Sequence, residues 1–239
     1  MISVCIPTYN GEKYLARQLD SILMQLGQGD EIIISDDSST DTTIEIIEKY
    51  GDPRIILLKN NSFKSPIFNL ENALMYAKGD YVFLSDQDDI WMTNKVELSL
   101  KELDGFDLVV SDCTLINEND LQIADSFYAI NNSKKGLINN LIKNSYLGCC
   151  MVFNRKILDY VLPFPKGIAM HDIWIGLNAE VAGRPKFITD KLVQYRRHGD
   201  NLSTSSEKSE FKSFFKIKYR IMFIYYVVSR ILVRAKIKR

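Results

Sequence analysis

Short apolar runs alternate with amphipathic stretches along the first 112 residues of the chain. The apolar runs are rich in strand-forming residues, and the stretches between them carry leucine and isoleucine at helical spacing. The predicted strands are Ile2–Ile6, Glu31–Ser35, Ile55–Leu58, Tyr81–Leu84 and Leu108–Asp112. The predicted helices are 12–26, a helix that is capped by Asp41 and runs to about residue 50, 67–77 and 92–103. Because parallel neighbours need crossover helices, this order predicts an α/β fold with a doubly wound, mostly parallel sheet.

The pattern is looser after residue 112. We predict in order a polar loop or hairpin at 117–135, a helix at 136–144, a strand at 146–153, a short helix at 154–161, a helix at 173–181 and short strands at 187–188 and 192–195. We expect one domain over residues 1–206, with a first half at 1–112 and a second half at 113–206. A basic amphipathic helical tail at 207–239 follows it.

Three polar turns come directly after predicted strands, at residues 7–11, 36–41 and 85–89. The carboxyl ends of parallel strands meet at one edge of a sheet, and ligands of open α/β folds bind there. We therefore expect these turns to converge, although they lie far apart in sequence.

The third turn follows the buried strand in YVFLSDQDDIW and places Asp86, Asp88 and Asp89 within four residues. Like charges crowded at the end of a buried strand repel one another unless a cation or a polar ligand offsets them. Mg²⁺ or Mn²⁺ prefers oxygen ligands and typically binds one or two carboxylates together with substrate phosphates. The alternative is an acidic turn that caps a helix beginning near Ile90.

Asp36 and Asp37 end the second predicted strand, where an acidic side chain can accept hydrogen bonds from a ribose hydroxyl or a base N–H. No glycine-rich phosphate motif precedes them, since the first turn reads PTYNGE, and this disfavours a redox dinucleotide-binding domain. An ordinary Asx turn is the alternative.

Both histidines lie in polar surroundings. His171 precedes Asp172 at a predicted helix start, and His198 follows Arg196 and Arg197 after the last predicted strand. Imidazole can bind a metal or carry a proton, and arginines can pair with diphosphate oxygens. The alternatives are that each histidine is structural or lies on the surface, that Asp172 caps the helix, and that the two arginines belong to a solvated basic turn.

Charge is distributed unevenly over the 239 residues. Residues 207–239 contain ten Lys or Arg and two Glu, a net charge of +8, whereas residues 1–206 carry a net charge of −8. An acidic body argues against nucleic acid as a partner. A basic, aromatic-rich helix predicts contact with an anionic membrane surface, and packing on the body or on a partner is the alternative.

The four cysteines, Cys5, Cys113, Cys149 and Cys150, lack the spacing of a zinc site and are expected to be reduced and buried. Reduced thiols and the absence of a basic leader before the first strand predict a cytoplasmic protein. The longest apolar run, 221–228, is too short to span a bilayer.

Taken together, these stretches resemble the inverting family-2 glycosyltransferases, which have the GT-A fold. The resemblance covers about residues 1–205 and is carried by SVCIPTYNGEKYLARQLDSIL, EIIISDDSSTD, AKGDYVFLSDQDDIW, HDIW and YRRHGDNLS. SDQDDIW together with HDIW looks most like the branch often described as rhamnosyltransferases.

The resemblance implies a nucleotide-diphosphate sugar as donor, with dTDP or UDP as the nucleotide. The residues it assigns to donor binding are Pro7, Thr8, Tyr9, Asp36, Asp37, Asp86, Gln87 and Arg197. It further implies that Asp86 and Asp88 form the D-x-D pair, that Asp89 is accessory, and that Asp88 and His198 bind Mn²⁺ or Mg²⁺.

Asp172 falls where the family has its catalytic carboxylate, and His171 replaces a Glu found in many members, which leaves the role of His171 open. Trp91, Gly148 and His171 are expected to line the sugar and acceptor pocket. The implied acceptor is a saccharide. A lipid-linked saccharide is the expected acceptor if the enzyme is peripheral on the inner face of the cell membrane. Two other functions fit the residues: a D-x-D phosphohydrolase with Asp86 as nucleophile, and a nucleotide-sugar-binding module without catalysis.

Overall fold

The computed structural model describes residues 1–168, 170–197 and 220–230. Its first half alternates strands and helices in the predicted order. The elements are β1 (Ile2–Thr8), α1 (Leu15–Leu23), β2 (Glu31–Asp36), α2 (Thr43–Tyr50), β3 (Ile55–Leu58), α3 (Pro66–Tyr76), β4 (Tyr81–Leu84), β5 (Ile90–Trp91), α4 (Lys95–Glu102) and β6 (Leu108–Asn117). Asp41 accepts a hydrogen bond from the Thr43 backbone N–H at 3.0 Å, as expected of a residue that stabilises the start of α2.

The second half contains shorter elements around three more strands. They are β7 (Gln122–Ala124), α5 (Phe127–Asn131), α6 (Leu137–Ile142), β8 (Met151–Asn154), α7 (Leu158–Val161), α8 (His171–Ala182) and β9 (Pro185–Arg197). One-turn 3₁₀ helices precede β8 at Gly148–Cys150 and α7 at Arg155–Ile157. We name the helix at residues 220–230 α9.

All nine strands of the described residues belong to one sheet, with the order β3-β2-β1-β4-β8-β6-β9-β5 and β7 paired to β6. The four strands β3, β2, β1 and β4 are parallel neighbours. β6 and β9 run in the same direction as these four, whereas β5, β7 and β8 are antiparallel to their partners. The predicted α/β fold with a mostly parallel sheet is therefore confirmed.

The structure corrects the prediction at several places. The strand predicted at 146–153 is a 3₁₀ turn followed by the shorter strand β8, and the loop or hairpin predicted at 117–135 contains helix α5. The predicted short strands at 187–188 and 192–195 are parts of the single strand β9, which pairs with β6 through register shifts around Asp112. These bulges accommodate the polar residues 189–191, which look like a break in the sequence. The alternative of a helix beginning near Ile90 is wrong, because residues 90 and 91 form β5, a two-residue strand that pairs with Val193 and Gln194 of β9. The helix predicted at 92–103 is α4.

Helix α9 packs on the body through one face. Phe223 is 1% exposed and Val227 is 5% exposed, and the Phe223 ring centroid lies 6.0 Å from that of Trp174 in α8. The Arg230 guanidinium donates a hydrogen bond to the Leu162 carbonyl at 3.1 Å. The rest of the predicted tail, at 207–219 and 231–239, lies outside the described residues. Among the helices that the structure describes, none combines the length and the apolarity needed to cross a bilayer.

Candidate active site

The loops after β1 and β4 are joined by a side-chain amide. Gln87 accepts a hydrogen bond from the Tyr9 backbone N–H at 2.9 Å and donates one to the Tyr9 carbonyl at 3.1 Å. A Cβ at Gly11 would lie 2.6 Å from Gln87 Oε1, so a side chain there would displace the amide. The first turn and the acidic turn therefore lie side by side, as the parallel order of β1 and β4 predicts.

The loop after β2 joins the same edge. Thr8 of β1 is the register partner of Asp36, and the Asp37 backbone N–H donates to the Thr8 carbonyl at 3.0 Å. The Asp36 carboxylate is buried and accepts hydrogen bonds from Thr8 Oγ1 at 3.1 Å and from the Ser39 N–H at 2.9 Å. Asp36 therefore shapes this turn, and its contact with a nucleoside stays a prediction.

Asp37 holds a segment that the sequence did not mark as part of the site. Its carboxylate accepts hydrogen bonds from the backbone N–H groups of Phe63 at 2.5 Å and Ser65 at 3.2 Å. The loop between β3 and α3 therefore lies against the Asp37 turn. Pro7 lies within β1 beside Thr8.

The acidic turn is held from behind by a buried arginine. Arg196, 1% exposed, donates from Nε to the Asp88 carbonyl at 2.7 Å, and its backbone N–H donates to Asp89 Oδ1 at 2.9 Å. Nη1 donates to the Asn117 carbonyl at 3.0 Å and lies 2.6 Å from Asp120 Oδ1. The sequence offers Arg196 as a partner of diphosphate oxygens, but in the structure its guanidinium binds protein groups. Arg197, the next residue, is half-buried at the end of β9, and its contact with the donor stays a prediction.

The carboxylates of this turn repel one another at short range. Burial, then the negative charges of Asp88 and Asp172, raise the pKa of Asp86 to about 7. Burial, followed by the charges of Asp88 and Asp86, also raises the pKa of Asp89. Crowding of this kind favours either protonation or a bound cation.

The residues present fit a divalent cation. One ligand atom each from Asp86, Asp89 and Cys149 lie within 4.8 Å of one another. Asp89 is 1% exposed and its Oδ2 has no hydrogen-bond partner among the described residues, which is costly unless a ligand occupies that position. Two carboxylate oxygens suit Mg²⁺ or Mn²⁺. The predicted ligand His198 lies outside the described residues, and the assignment of Asp88 as a ligand stays a prediction.

The start of α8 brings the candidate base to this turn. Asp172 is 6% exposed, and burial raises its pKa to about 6. Its carboxylate accepts hydrogen bonds from the Ile173 N–H at 2.7 Å and from the Asn144 side chain at 3.4 Å. Asp172 lies close enough to Asp86 for its charge to raise the pKa of Asp86. Asn144 and Cys149 were not predicted for the site, although Cys149 follows the predicted Gly148 directly.

His171 packs over the backbone at Gly148. A Cβ at Gly148 would lie 2.8 Å from His171 Nε2, so only glycine leaves room for the imidazole in this position. Burial lowers the pKa of His171 to about 4, which keeps the ring neutral at neutral pH. Gly148 and His171 therefore lie side by side, and the predicted contact of either with a sugar stays a prediction.

Trp91 lies in the core below the acidic turn. Its side chain is 2% exposed, its ring centroid lies 5.5 Å from that of Phe83, and the Lys95 ammonium lies 4.2 Å from the ring centroid. In this structure the indole therefore contacts core residues, and its predicted position in a sugar pocket stays a prediction.

The comparisons with known proteins agree with this architecture. Residues 3–162 match the family model "Glycosyl transferase family 2". The chain is 31% identical over 168 residues to the Escherichia coli UDP-Glc:alpha-D-GlcNAc-diphosphoundecaprenol beta-1,3-glucosyltransferase WfgD, a match that covers 69% of this chain and 64% of that relative. It is 30% identical over 211 residues to the E. coli enzyme WfaP, whose name states the same activity, covering 87% of this chain and 82% of the relative.

Among solved structures, the fold is similar to that of S. aureus TarS 1-349 in complex with UDP-GlcNAc. The TM-score is 0.70 at 20% identity, and the match covers 95% of this chain and 72% of the other. The chain belongs to glycosyl transferase family 2, and it is a glycosyltransferase with the GT-A fold. This membership favours sugar transfer over the phosphohydrolase and the non-catalytic module.

We expect Asp86→Asn to stabilise the metal-free protein at pH 8. The pKa of Asp86 is about 7 in the folded protein against an ordinary value of 3.8, so between these values the folded state holds more protons than the unfolded chain. Stability contributed by this group therefore falls as pH rises through that window and stays low above it. In EDTA, urea unfolding at pH 8 should show a gain of about 2 kcal/mol for Asp86→Asn, shrinking towards pH 5.

The exposed Asp104→Asn serves as control and should change stability equally at both pH values. Saturating Mn²⁺ should stabilise the wild type more than Asp86→Asn. An advantage of Asp86→Asn that does not change between pH 5 and pH 8 would contradict the assignment of the raised pKa to this carboxylate.

Proposed function

We propose that the protein transfers a sugar from a nucleotide-diphosphate donor, with inversion at the anomeric carbon, to a saccharide acceptor in cell-surface polysaccharide synthesis. The observation that carries the proposal is the meeting of the Asp86–Asp89 turn with Asp172 at one edge of the sheet. The turn can bind a metal ion together with a diphosphate, and the Asp172 carboxylate can accept a proton.

The donor would bind across the loops after β1, β2 and β4. Thr8, Tyr9 and Asp37 would contact the nucleoside, and the Gln87 amide fixes the Tyr9 backbone beside the acidic turn. Mn²⁺ or Mg²⁺, held by Asp86, Asp88 and Asp89 with His198, would neutralise charge that develops on the diphosphate leaving group. UDP is favoured as the nucleotide because the two bacterial relatives are named as UDP-glucose enzymes, and dTDP is the other candidate.

Asp172 would act as the general base. Its carboxylate is held by hydrogen bonds from the Ile173 N–H and the Asn144 side chain, and burial raises its pKa to about 6, so it is ionised yet basic near pH 7. It would remove the acceptor hydroxyl proton while the hydroxyl oxygen attacks the anomeric carbon and the diphosphate departs on the opposite side. Direct displacement inverts that carbon and needs no second protein carboxylate, in contrast to hydrolysis with a carboxylate pair.

The acceptor is proposed to be a lipid-linked saccharide. The two E. coli relatives carry a diphosphoundecaprenol-linked sugar in their names. L-Rhamnose was the donor sugar suggested by the resemblance, but both relatives are named glucosyltransferases, so glucose is an equal candidate. His171 and Gly148, which pack on each other beside Asp172, would form the wall of the sugar and acceptor pocket, whereas Trp91 lies in the core beneath it.

We also propose that the enzyme docks on the inner face of the cell membrane. Helix α9 buries Phe223 and Val227 and exposes an apolar face opposite, formed by Ile221, Ile224, Tyr225 and Val228. Arg220 of α9 donates to the Ile142 carbonyl at 2.5 Å, so α6, with Ile138 74% exposed, borders this face. The net charge of +8 over residues 207–239 favours a bilayer of anionic lipids.

Donor recognition can be tested by a thermal-shift screen of nucleotide sugars with and without Mn²⁺. We expect a UDP-sugar or dTDP-sugar to raise the melting temperature mainly when Mn²⁺ is present, since a ligand at 100 times its Kd adds about 2.7 kcal/mol to stability. Asp88→Ala should lose the Mn²⁺-dependent part of this rise in melting temperature, whereas Asp104→Ala should keep it. Calorimetry showing unchanged donor affinity of Asp88→Ala in Mn²⁺ would argue against the role of Asp88.

We expect Asp172→Asn to reduce transfer by about 10²- to 10⁴-fold, the usual contribution of a general base, while donor binding stays intact. In the wild type, kcat/KM should rise with pH through about 6 and then level, because the base works only when deprotonated. Asp104→Asn should retain wild-type turnover and pH dependence. Near-normal turnover of Asp172→Asn would refute the role, and NMR of the product would reveal whether the anomeric centre inverts.

Membrane docking can be tested by cosedimentation with phosphatidylglycerol and with phosphatidylcholine vesicles. We expect binding only to the anionic vesicles, weakened by salt and by the double variant Ile221→Ser/Val228→Ser, whose side chains are exposed in the folded protein. Met75→Ser removes an equally exposed apolar side chain from α3 and should bind normally. Equal binding to both kinds of vesicle, or no binding, would reject the proposal.

A further inference from the structure

A buried lysine lies beneath the carboxylate turn. Lys95 is the first residue of α4 and is 1% exposed, although the start of a helix disfavours a positive charge. Its ammonium donates a hydrogen bond to the Cys149 carbonyl at 2.6 Å and lies 4.2 Å from the Trp91 ring centroid. Burial lowers the pKa of Lys95, so this position opposes its charge in two ways. A lysine kept in such a place needs a compensating interaction.

Against the larger effect of burial, Cys150 and Cys149, followed by Asp89 of the acidic turn, raise the pKa of Lys95. Cys149, whose carbonyl accepts the Lys95 hydrogen bond, contributes its sulfur to the cluster in which the oxygens of Asp86 and Asp89 lie within 4.8 Å. The charge of Lys95 lowers the pKa of Asp86, against the larger upward effects of burial and of Asp88 and Asp172. Lys95 and the turn therefore interact across a buried, weakly screened space.

Negative charge is in excess around this cluster. Asp86, Asp88 and Asp89 bring three carboxylates within four residues, and Asp172 lies close enough to raise the pKa of Asp86. Arg196 binds the backbone of the turn and shares Asp120 with Arg17. Lys95 is the cation that contacts Cys149, so its loss would leave the cluster more negative.

We propose that Lys95 is a positioning residue whose ammonium, fixed between Cys149 and Trp91, reduces the negative charge at the acidic turn and so limits how tightly the turn holds a divalent cation. This inference rests on the proposed metal-dependent transfer. Without Lys95 the turn would hold the cation more tightly in the absence of nucleotide, because one positive charge beside it would be lost.

The test is a charge-restoration series in the full-length protein, read as the Mn²⁺ Kd without nucleotide by electron paramagnetic resonance. We expect Lys95→Gln, which keeps a hydrogen-bond donor, to bind Mn²⁺ about tenfold more tightly or better. Asp89→Asn should bind it more weakly than the wild type. The double variant Lys95→Gln/Asp89→Asn has the same formal charge as the wild type and should return to within about threefold of its Kd. Lys101→Gln, an exposed position on the same helix, is the matched control and should not change the Kd.

A lysine that only supports the fold would give a different result. Lys95→Gln would then lower the melting temperature while its Mn²⁺ Kd stayed unchanged or rose, and the double variant would not recover, which would overturn the inference. If Lys95→Gln does not fold, Lys95→Met replaces it in the series, and circular dichroism checks both. If the wild type transfers sugar and binds Mn²⁺ while Lys95→Gln leaves the Mn²⁺ Kd unchanged, this inference alone is rejected. If the wild type binds no Mn²⁺, the proposed metal dependence is rejected as well.

Discussion

Electrostatic repulsion at the end of β4 is the constraint on which the rest of the site depends. Three carboxylates lie within four residues there, and two of them have a pKa raised by burial and by their neighbours. A chain keeps such a turn only if other groups hold it in place. Arg196 binds its backbone and Asp89, Gln87 ties it to the Tyr9 backbone, and Lys95 lies below it.

These groups come from distant parts of the chain, so the architecture of the sheet and the function of the site are linked. β9 ends beside the turn because it runs parallel to β6 and pairs with β5, and this brings Arg196 to Asp88. β8 begins there because it is antiparallel to β4, and this brings Gly148 and Cys149. Family membership is consistent with this arrangement, since the four parallel strands β1 to β4, apart from Ile2, and the turn lie within the matched residues 3–162.

The two ionisable side chains at the start of α8, His171 and Asp172, have pKa values shifted in opposite directions. Burial raises the pKa of Asp172 to about 6 and lowers that of His171 to about 4. At neutral pH the site therefore presents one basic carboxylate and one neutral imidazole. This difference in pKa fits a base with a neutral neighbour better than a pair of exchanging acids, and burial is its largest cause.

The sequence by itself determined the strand order of the first half, the three converging turns and the acidic turn, because strand periodicity, turn residues and parallel crossovers are local properties. It also marked Asp172 and the glycine at position 148, through resemblance rather than through spacing. Only the tertiary structure decided that Arg196 binds the turn rather than facing a ligand, that 185–197 forms one strand, and that Cys149, Asn144 and Lys95 join the site. The physical reason is that burial, bulged pairing and contacts between residues more than 50 positions apart depend on how the elements pack, and no local pattern records that packing.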